Sequence, residues 1–280
     1  MGSVALSADD IARYRRDGYL IVRGVLEPAH VAECLAALAA LAADPALVGV
    51  ARHAGKPFVQ VEPGTDTVRK YGDFTDREPA LHRAAFGARL HGVLDRIMGE
   101  GRLMIQEMAL VKPPRVGGEK RWHQDAAYFR VSDPNLVFGV WIALDPATAR
   151  NGCMEVVPGS HHGGPAAHVP DANIDLCAIR AELARPTERV ACEMAPGDAL
   201  IFHSLLHHYT APNLSDDRRR ALQFHYQQLG AEWISLAEHQ ALYHDAAGAY
   251  AGCTVSKGLP LIETNSYKPA RLRPVEPAPR

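Results

Sequence analysis

His123-Gln124-Asp125 sets an imidazole and a carboxylate two residues apart. On an extended strand such residues share a face, so both side chains could reach one metal ion. The triplet is too short to stand alone in a chain with 14 histidines. A second feature strengthens it: Gly197-Asp198 leads into the apolar run 199–202, and histidines follow at His203, His207 and His208. Two imidazoles and one carboxylate on three corners of an octahedron leave the opposite face open, the ligand arrangement of non-haem iron(II) oxygenases. Zinc hydrolases prefer a different set. His203 and His207 have the opposite strand parity to His208, so if His208 is the third ligand they should face away.

A charged loop then carries the chain to Arg218, Arg219 and Arg220. A guanidinium is a planar fork that takes a carboxylate through two charge-assisted hydrogen bonds. From Arg219, the alternate residues Ala221, Gln223, His225 and Gln227 make a mainly polar strand face, which inside a β-rich fold reads as the wall of a ligand cavity.

The elements that must position these residues fall into two classes. Ser7 with Asp10 predicts a capped helix ending near Gly18, followed by a strand over 19–22. Glu27-Pro28 opens a second helix in which Val31, Cys34, Leu35, Leu38 and Leu41 recur at helical spacing. A third helix is expected over 79–98. From Leu103 onward the pattern changes to short β-like runs at 103–111, 137–144, 154–157, 189–194, 199–206 and 220–229, separated by turn signals such as Asn151-Gly152 and Pro158-Gly159. Helices followed by many short strands predict a mainly β fold with flanking helices, an antiparallel sandwich or jelly roll. We expect a single domain over 1–280, with a helical part to about 100, the jelly-roll core over about 101–230 and a C-terminal extension over 231–280. The Gly, Pro and Ala-rich stretch 161–189 suits a loop or lid, in which His161, His162 and His168 are expected to be solvated. The tail 264–280 is expected to be poorly ordered.

Composition narrows the partners. The chain has 280 residues, 47% of them hydrophobic and 22% charged, with a net charge of −2, so it offers no basic footprint for nucleic acid. The longest apolar run, 34–43, is far short of the roughly 20 residues that a membrane span needs. No apolar signal segment precedes residue 17, which favours the cytoplasm. Five scattered cysteines without a CxxC pair argue against a disulfide framework and a structural zinc site, and are expected to be small buried hydrophobes.

Trp122-His123-Gln124-Asp125, the stretch Asn151-Gly152-Cys153 through Val157-Pro158-Gly159-Ser160-His161, and the spacing from His208 to Arg219 together resemble the phytanoyl-CoA dioxygenase family. The resemblance runs from about Ser7 to Leu229. It implies a double-stranded β-helix, cupin-like fold, and a dioxygenase using Fe(II), 2-oxoglutarate and O2. It implies His123, Asp125 and His208 as iron ligands, and Arg219 against the far carboxylate of 2-oxoglutarate. Thr210, Gln124, Trp141, Met108 and Lys70 match family positions lining the co-substrate pocket; Thr210 stands where serine is more usual and keeps the hydroxyl. Without the resemblance, Trp141 would be a core aromatic. Related halogenases carry a small residue in place of the carboxylate, so Asp125 favours hydroxylation over halogenation, with desaturation, epoxidation and ring rearrangement left open.

The substrate is expected to be a small organic molecule, with Tyr128, Phe129, Phe58 and Gln106 as candidate pocket residues. A coenzyme A thioester finds little basic recognition beyond Lys112 and the stretch 115–121. Two rival readings are a cupin-like metalloenzyme that does not use 2-oxoglutarate, and a non-catalytic ligand-binding protein on the same scaffold.

Overall fold

The computed structural model describes residues 5–44, 51–52, 56–57, 59–61, 68–72, 74–171, 176–180, 183–184, 186–249, 251–253, 255–256, 259–260 and 273–274. Ser7 and Asp10 satisfy each other's backbone amides in a capping box that starts α1 (Ala8–Asp17), and Gly18, at φ 80°, ends it. Strand β1 (Tyr19–Val22) follows, then α2 (Pro28–Ala43), which buries Val31, Cys34, Ala37, Leu38 and Leu41. The single helix expected over 79–98 is two, α3 (Pro79–Phe86) and α4 (Ala88–Met98). Gly87 between them is extended, and a Cβ there would lie 2.5 Å from the Arg83 carbonyl oxygen, so the break needs glycine.

The remaining strands of three or more residues are β2 (Val59–Val61), β3 (Val68–Gly72), β4 (Arg102–Lys112), β5 (Lys120–His123), β6 (Val137–Ala143), β7 (Met154–Val156), β8 (His168–Asp171), β9 (Leu176–Ile179), β10 (Val190–Cys192), β11 (Ala199–His203), β12 (His208–Thr210) and β13 (Arg219–Gln228). With β1, all but β8 and β9 lie in two main antiparallel sheets. The larger runs β1-β11-β6-β13-β4-β3-β2, with the pair Arg273–Pro274 also alongside β4; the smaller runs β10-β7-β12-β5. This is the jelly roll that the strand pattern predicted. The rest of the tail 264–280 lies outside the described residues.

The larger sheet is covered on both sides. Val140, Ile142, Leu222 and Phe224 pack with Leu38, Leu81, Leu90 and Leu94 of the helices. On the other face Trp141, Ala143, Leu200, Phe202 and Ala221 pack with Met154, Val156 and Cys192 of the smaller sheet. Strand β6 is therefore buried at every position, and its side chains alternate between the two cores.

Three local expectations need correction. The run expected over 199–206 ends at His203; the chain turns and re-enters the smaller sheet at His208. His203 and His208 thus belong to different sheets, and strand parity between them carries no meaning. The stretch 161–189, expected as an irregular lid, contains the antiparallel pair β8–β9. His161 and His168 within it are buried rather than solvated: His161 lies against the end of α1 and the ring of His203, and His168 accepts from the Gln124 backbone amide; His162 is exposed. Finally, Cys34, Cys153 and Cys192 are free and buried as expected, but Cys253 is disulfide-bonded. Distance along the chain does not report distance in the fold, so scattered cysteines were a poor argument against pairing. Among the described residues no helix is long and apolar enough to cross a membrane.

Two outcomes follow from this packing. A Cβ on Gly139 would lie 2.1 Å from the ring of Phe202, which is itself fully buried. Gly139→Ala is expected to lower stability by about 1–3 kcal/mol through overpacking; an unchanged urea midpoint would show that the ring relaxes without cost. Burial also holds the imidazoles of His91, His203 and His239 down, to about 4, 3 and 4. As pH falls below the ordinary imidazole range, the unfolded chain takes up protons that these native histidines refuse, so stability falls with pH. Metal-free protein should lose on the order of 1 kcal/mol per pH unit for each such histidine between about pH 6.5 and 5. Equal unfolding midpoints across that window would contradict it.

Candidate metal centre and co-substrate pocket

Strands β5 and β12 run antiparallel with His123 directly opposite His208. The pairing brings the two rings together, with centroids 4.0 Å apart. Asp125 does not continue the strand, contrary to the parity expectation. It opens a 3-10 turn, Asp125–Tyr128, and that turn swings its carboxylate back toward both rings. Asp125 Oδ1 lies 3.2 Å from His123 Nε2 and 3.5 Å from His208 Nε2. Among the described residues these three side chains form a group whose candidate ligand atoms all lie within 4.8 Å of one another.

The second nitrogen of each ring is already engaged. His123 Nδ1 donates to the Arg121 carbonyl at 2.8 Å, and His208 Nδ1 to the Leu206 carbonyl at 2.9 Å. Each ring thus presents the Nε2 lone pair to the centre. Burial pushes the His123 pKa down, assisted by His208 and Lys120 and opposed by Asp125. For Asp125 burial acts upward, but His208 and His225 outweigh it, and the carboxyl stays well below its usual range. A neutral imidazole and an ionised carboxylate are the forms that bind a divalent cation.

Arg219 begins β13, the strand whose Gln223 and His225 reach Asp125, and shares their face by strand alternation. Its guanidinium is 2% exposed and sits 5.1 Å from the Trp141 ring, and burial lowers its pKa to about 10. Nε and Nη1 are buried and lack a hydrogen-bond partner among the described residues, as does Trp141 Nε1. A buried cation with open donors is costly unless an anion completes it. The donor set therefore fits a divalent ion such as iron at the three ligands and an anion such as a carboxylate at Arg219.

The other expected pocket residues divide. Met108 on β4, Gln223 on β13 and Trp141 on β6 lie in one transverse row, and Gln106, His225 and Gly139 in the next. Lys70 on β3 pairs with Leu110, which pairs with Ala221, and so shares the same inward face. Thr210 is buried at the end of β12, two residues past His208. The Gln124 side chain, by contrast, is fully engaged: its amide nitrogen donates to the Gly164 and Leu205 carbonyls, and its oxygen accepts from the Ala166 amide. It ties the metal-binding turn to the neighbouring loop and has no donor left for a co-substrate. Tyr128 is half-buried, with its ring 6.2 Å from His123 and its hydroxyl accepting from Lys120 Nζ at 2.6 Å. Phe129 is buried with Ile105, Val131 and Val137 and packs 4.9 Å from His225. Phe58 lies outside the described residues.

Three contributors escaped residue-by-residue assignment. His225 and Gln223 both reach the Asp125 carboxylate; the polar alternation along β13 was their signal. His168 Nε2 accepts from the Gln124 backbone amide at 3.0 Å, a contact that sequence spacing does not encode.

Residues 14–221 match the family model described as phytanoyl-CoA dioxygenase (PhyH). The chain belongs to the phytanoyl-CoA dioxygenase family. Among curated members, phytanoyl-CoA dioxygenase 1 of Oryza sativa subsp. japonica is 34% identical over 161 residues, covering 56% of each chain. The match thus spans about half the length of that relative. Solved structures share the fold. EctD from S. alaskensis with bound Fe is 26% identical, with a TM-score of 0.67, covering 82% of this chain and 79% of that one. EvdO2 from Micromonospora carbonacea var. aurantiaca complexed with 2-oxoglutarate is 26% identical, with a TM-score of 0.65, covering 84% of this chain and 96% of that one. The family's double-stranded β-helix is the two-sheet roll described above.

For this phytanoyl-CoA dioxygenase family member, Arg219→Gln should weaken 2-oxoglutarate binding to the metal-loaded protein by about 10- to 100-fold, the worth of a charged hydrogen-bonded contact. Arg219→Lys should recover only part, because an ammonium cannot grip two oxygens in one plane. Calorimetric titration reads both, and an unchanged affinity in the glutamine variant would remove Arg219 from the pocket.

Proposed function

We propose that this protein is an Fe(II)/2-oxoglutarate-dependent dioxygenase that hydroxylates an unactivated C–H bond of a small organic molecule and releases succinate and carbon dioxide. The observation that carries the reading is a buried His-Asp-His group together with a buried guanidinium with open donors on the strand whose Gln223 reaches Asp125. When bound, the iron and its co-substrate supply the oxidising chemistry, which no side chain of the chain could provide.

The protein's own part is to bind, orient and exclude. His123, Asp125 and His208 would hold the ion through three protein atoms and leave it accessible to small molecules. Arg219 would fix the far end of the co-substrate, and Trp141 backs the guanidinium. With the metal, Asp125, a dianionic co-substrate and Arg219 together the charges cancel, so a dry pocket can hold them. Lys70, Met108, Thr210 and Gln106 complete the interior wall, with Tyr128 beside His123.

For the substrate, the cations near the strand ends are already engaged. Lys112 Nζ donates to the Gly118 and Thr210 carbonyls, Arg115 pairs with Asp216, and Arg121 pairs with Glu119. That leaves little for coenzyme A phosphates and supports a compact organic substrate.

The test is to load the protein anaerobically with Fe(II) and 2-oxoglutarate, admit oxygen and assay succinate. Wild-type protein should form succinate, and His208→Ala should lose at least about 100-fold. Succinate formation that survives in His208→Ala, or none in wild type across a panel of small organic substrates, would overturn the proposal.

A further inference from the structure

The two oxygens of Asp125 have different surroundings. Oδ1 faces His123 and His208, where the ion is placed by the reading above. Oδ2 accepts from His225 Nε2 at 2.7 Å and from Gln223 Nε2 at 3.3 Å. We propose that His225, supported by Gln223, is a positioning residue that locks Asp125 as a one-oxygen ligand. By doing so it keeps the open face of the centre clear for co-substrate and oxygen. This inference rests on the metal-centre reading and adds a residue to it.

Three observations carry it. The His225 ring cannot swing away, since it is 1% exposed and packed against Phe129 at 4.9 Å and Phe202 at 6.2 Å. Its Nδ1 is buried without a partner among the described residues, so the short hydrogen bond to Asp125 is the ring's main polar contact. The register of β13 against β4 also shifts directly after His225, between it and Tyr226. An irregularity of this kind re-aims a side chain beside a site.

The energetic logic follows from burial. A carboxylate can meet a metal through one oxygen or two. Rotating Asp125 to offer both would break two hydrogen bonds in a region without solvent to replace them. The donors therefore bias the ligand toward Oδ1 alone, and they do so before any ion arrives. A second carboxylate contact would occupy a position that the co-substrate or oxygen needs.

The experiment compares anaerobic Fe(II) affinities, read by competition with a chromophoric chelator, for wild type, Asp125→Ala, His225→Phe, His225→Gln and Gln223→Leu. His225→Phe keeps the packing and removes the donor, and should bind Fe(II) about 10- to 100-fold more weakly. His225→Gln keeps a donor and should return to within about threefold of wild type, a rescue that shape alone would not produce. Gln223→Leu should weaken binding in the same direction by less, and it decides the matter if His225→Phe does not fold. Unchanged affinity in the phenylalanine and leucine variants, or equal weakening in both His225 variants, would overturn the inference while leaving the metal centre intact. Wild type binding no better than Asp125→Ala would sink the metal centre and this inference together.

Discussion

The cross-strand pairing of His123 with His208 is the constraint on which the rest depends. It brings together two residues far apart in the chain. Backbone hydrogen bonds between β5 and β12 set the spacing of the rings, and carbonyls of the same short segments fix which nitrogen each ring offers. Asp125 then needs only a one-turn excursion to close the triangle. The centre is thus a product of sheet register, which slips only in whole residues and would carry the side chains to the opposite face if it did.

That register is protected by layers on both sides. The smaller sheet rests on Trp141, Leu200 and Phe202, and the larger sheet rests in turn on the four helices. Phe202 connects packing to chemistry, because its ring fills the space above Gly139 and lies 5.1 Å from His208. Behind the ligands, Gln124 and His168 tie the metal-binding turn to the neighbouring loop, and His225 with Gln223 ties it to the larger sheet. Rigid ligands need such supports, since an ion will otherwise choose its own geometry.

Much of this was legible along the chain, for identifiable reasons. Ser7 with Asp10 and Gly18 punctuate α1 with local chemistry, and β6 reads as a continuous apolar run because both its faces are covered. The three candidate ligands, which the fold brings within 4.8 Å of one another, were legible through motif combination, where several weak signals coincide. Other features depend on contacts that no local rule encodes. Gly87 splits a helix whose apolar periodicity is unbroken, Asp125 leaves the strand that parity assumed, and His168 is buried by a segment that composition marks as a loop. His225 lies on a face whose polarity was visible but whose target, Asp125, is 100 residues away.

The most direct test of the account is X-ray absorption spectroscopy of the Fe(II)-loaded protein. It should show two imidazole nitrogens and a single carboxylate oxygen from the protein, with the carboxylate scattering lost in Asp125→Ala. Sulfur ligation, a third imidazole or a spectrum indifferent to Asp125 would contradict the claim that these three side chains form the centre.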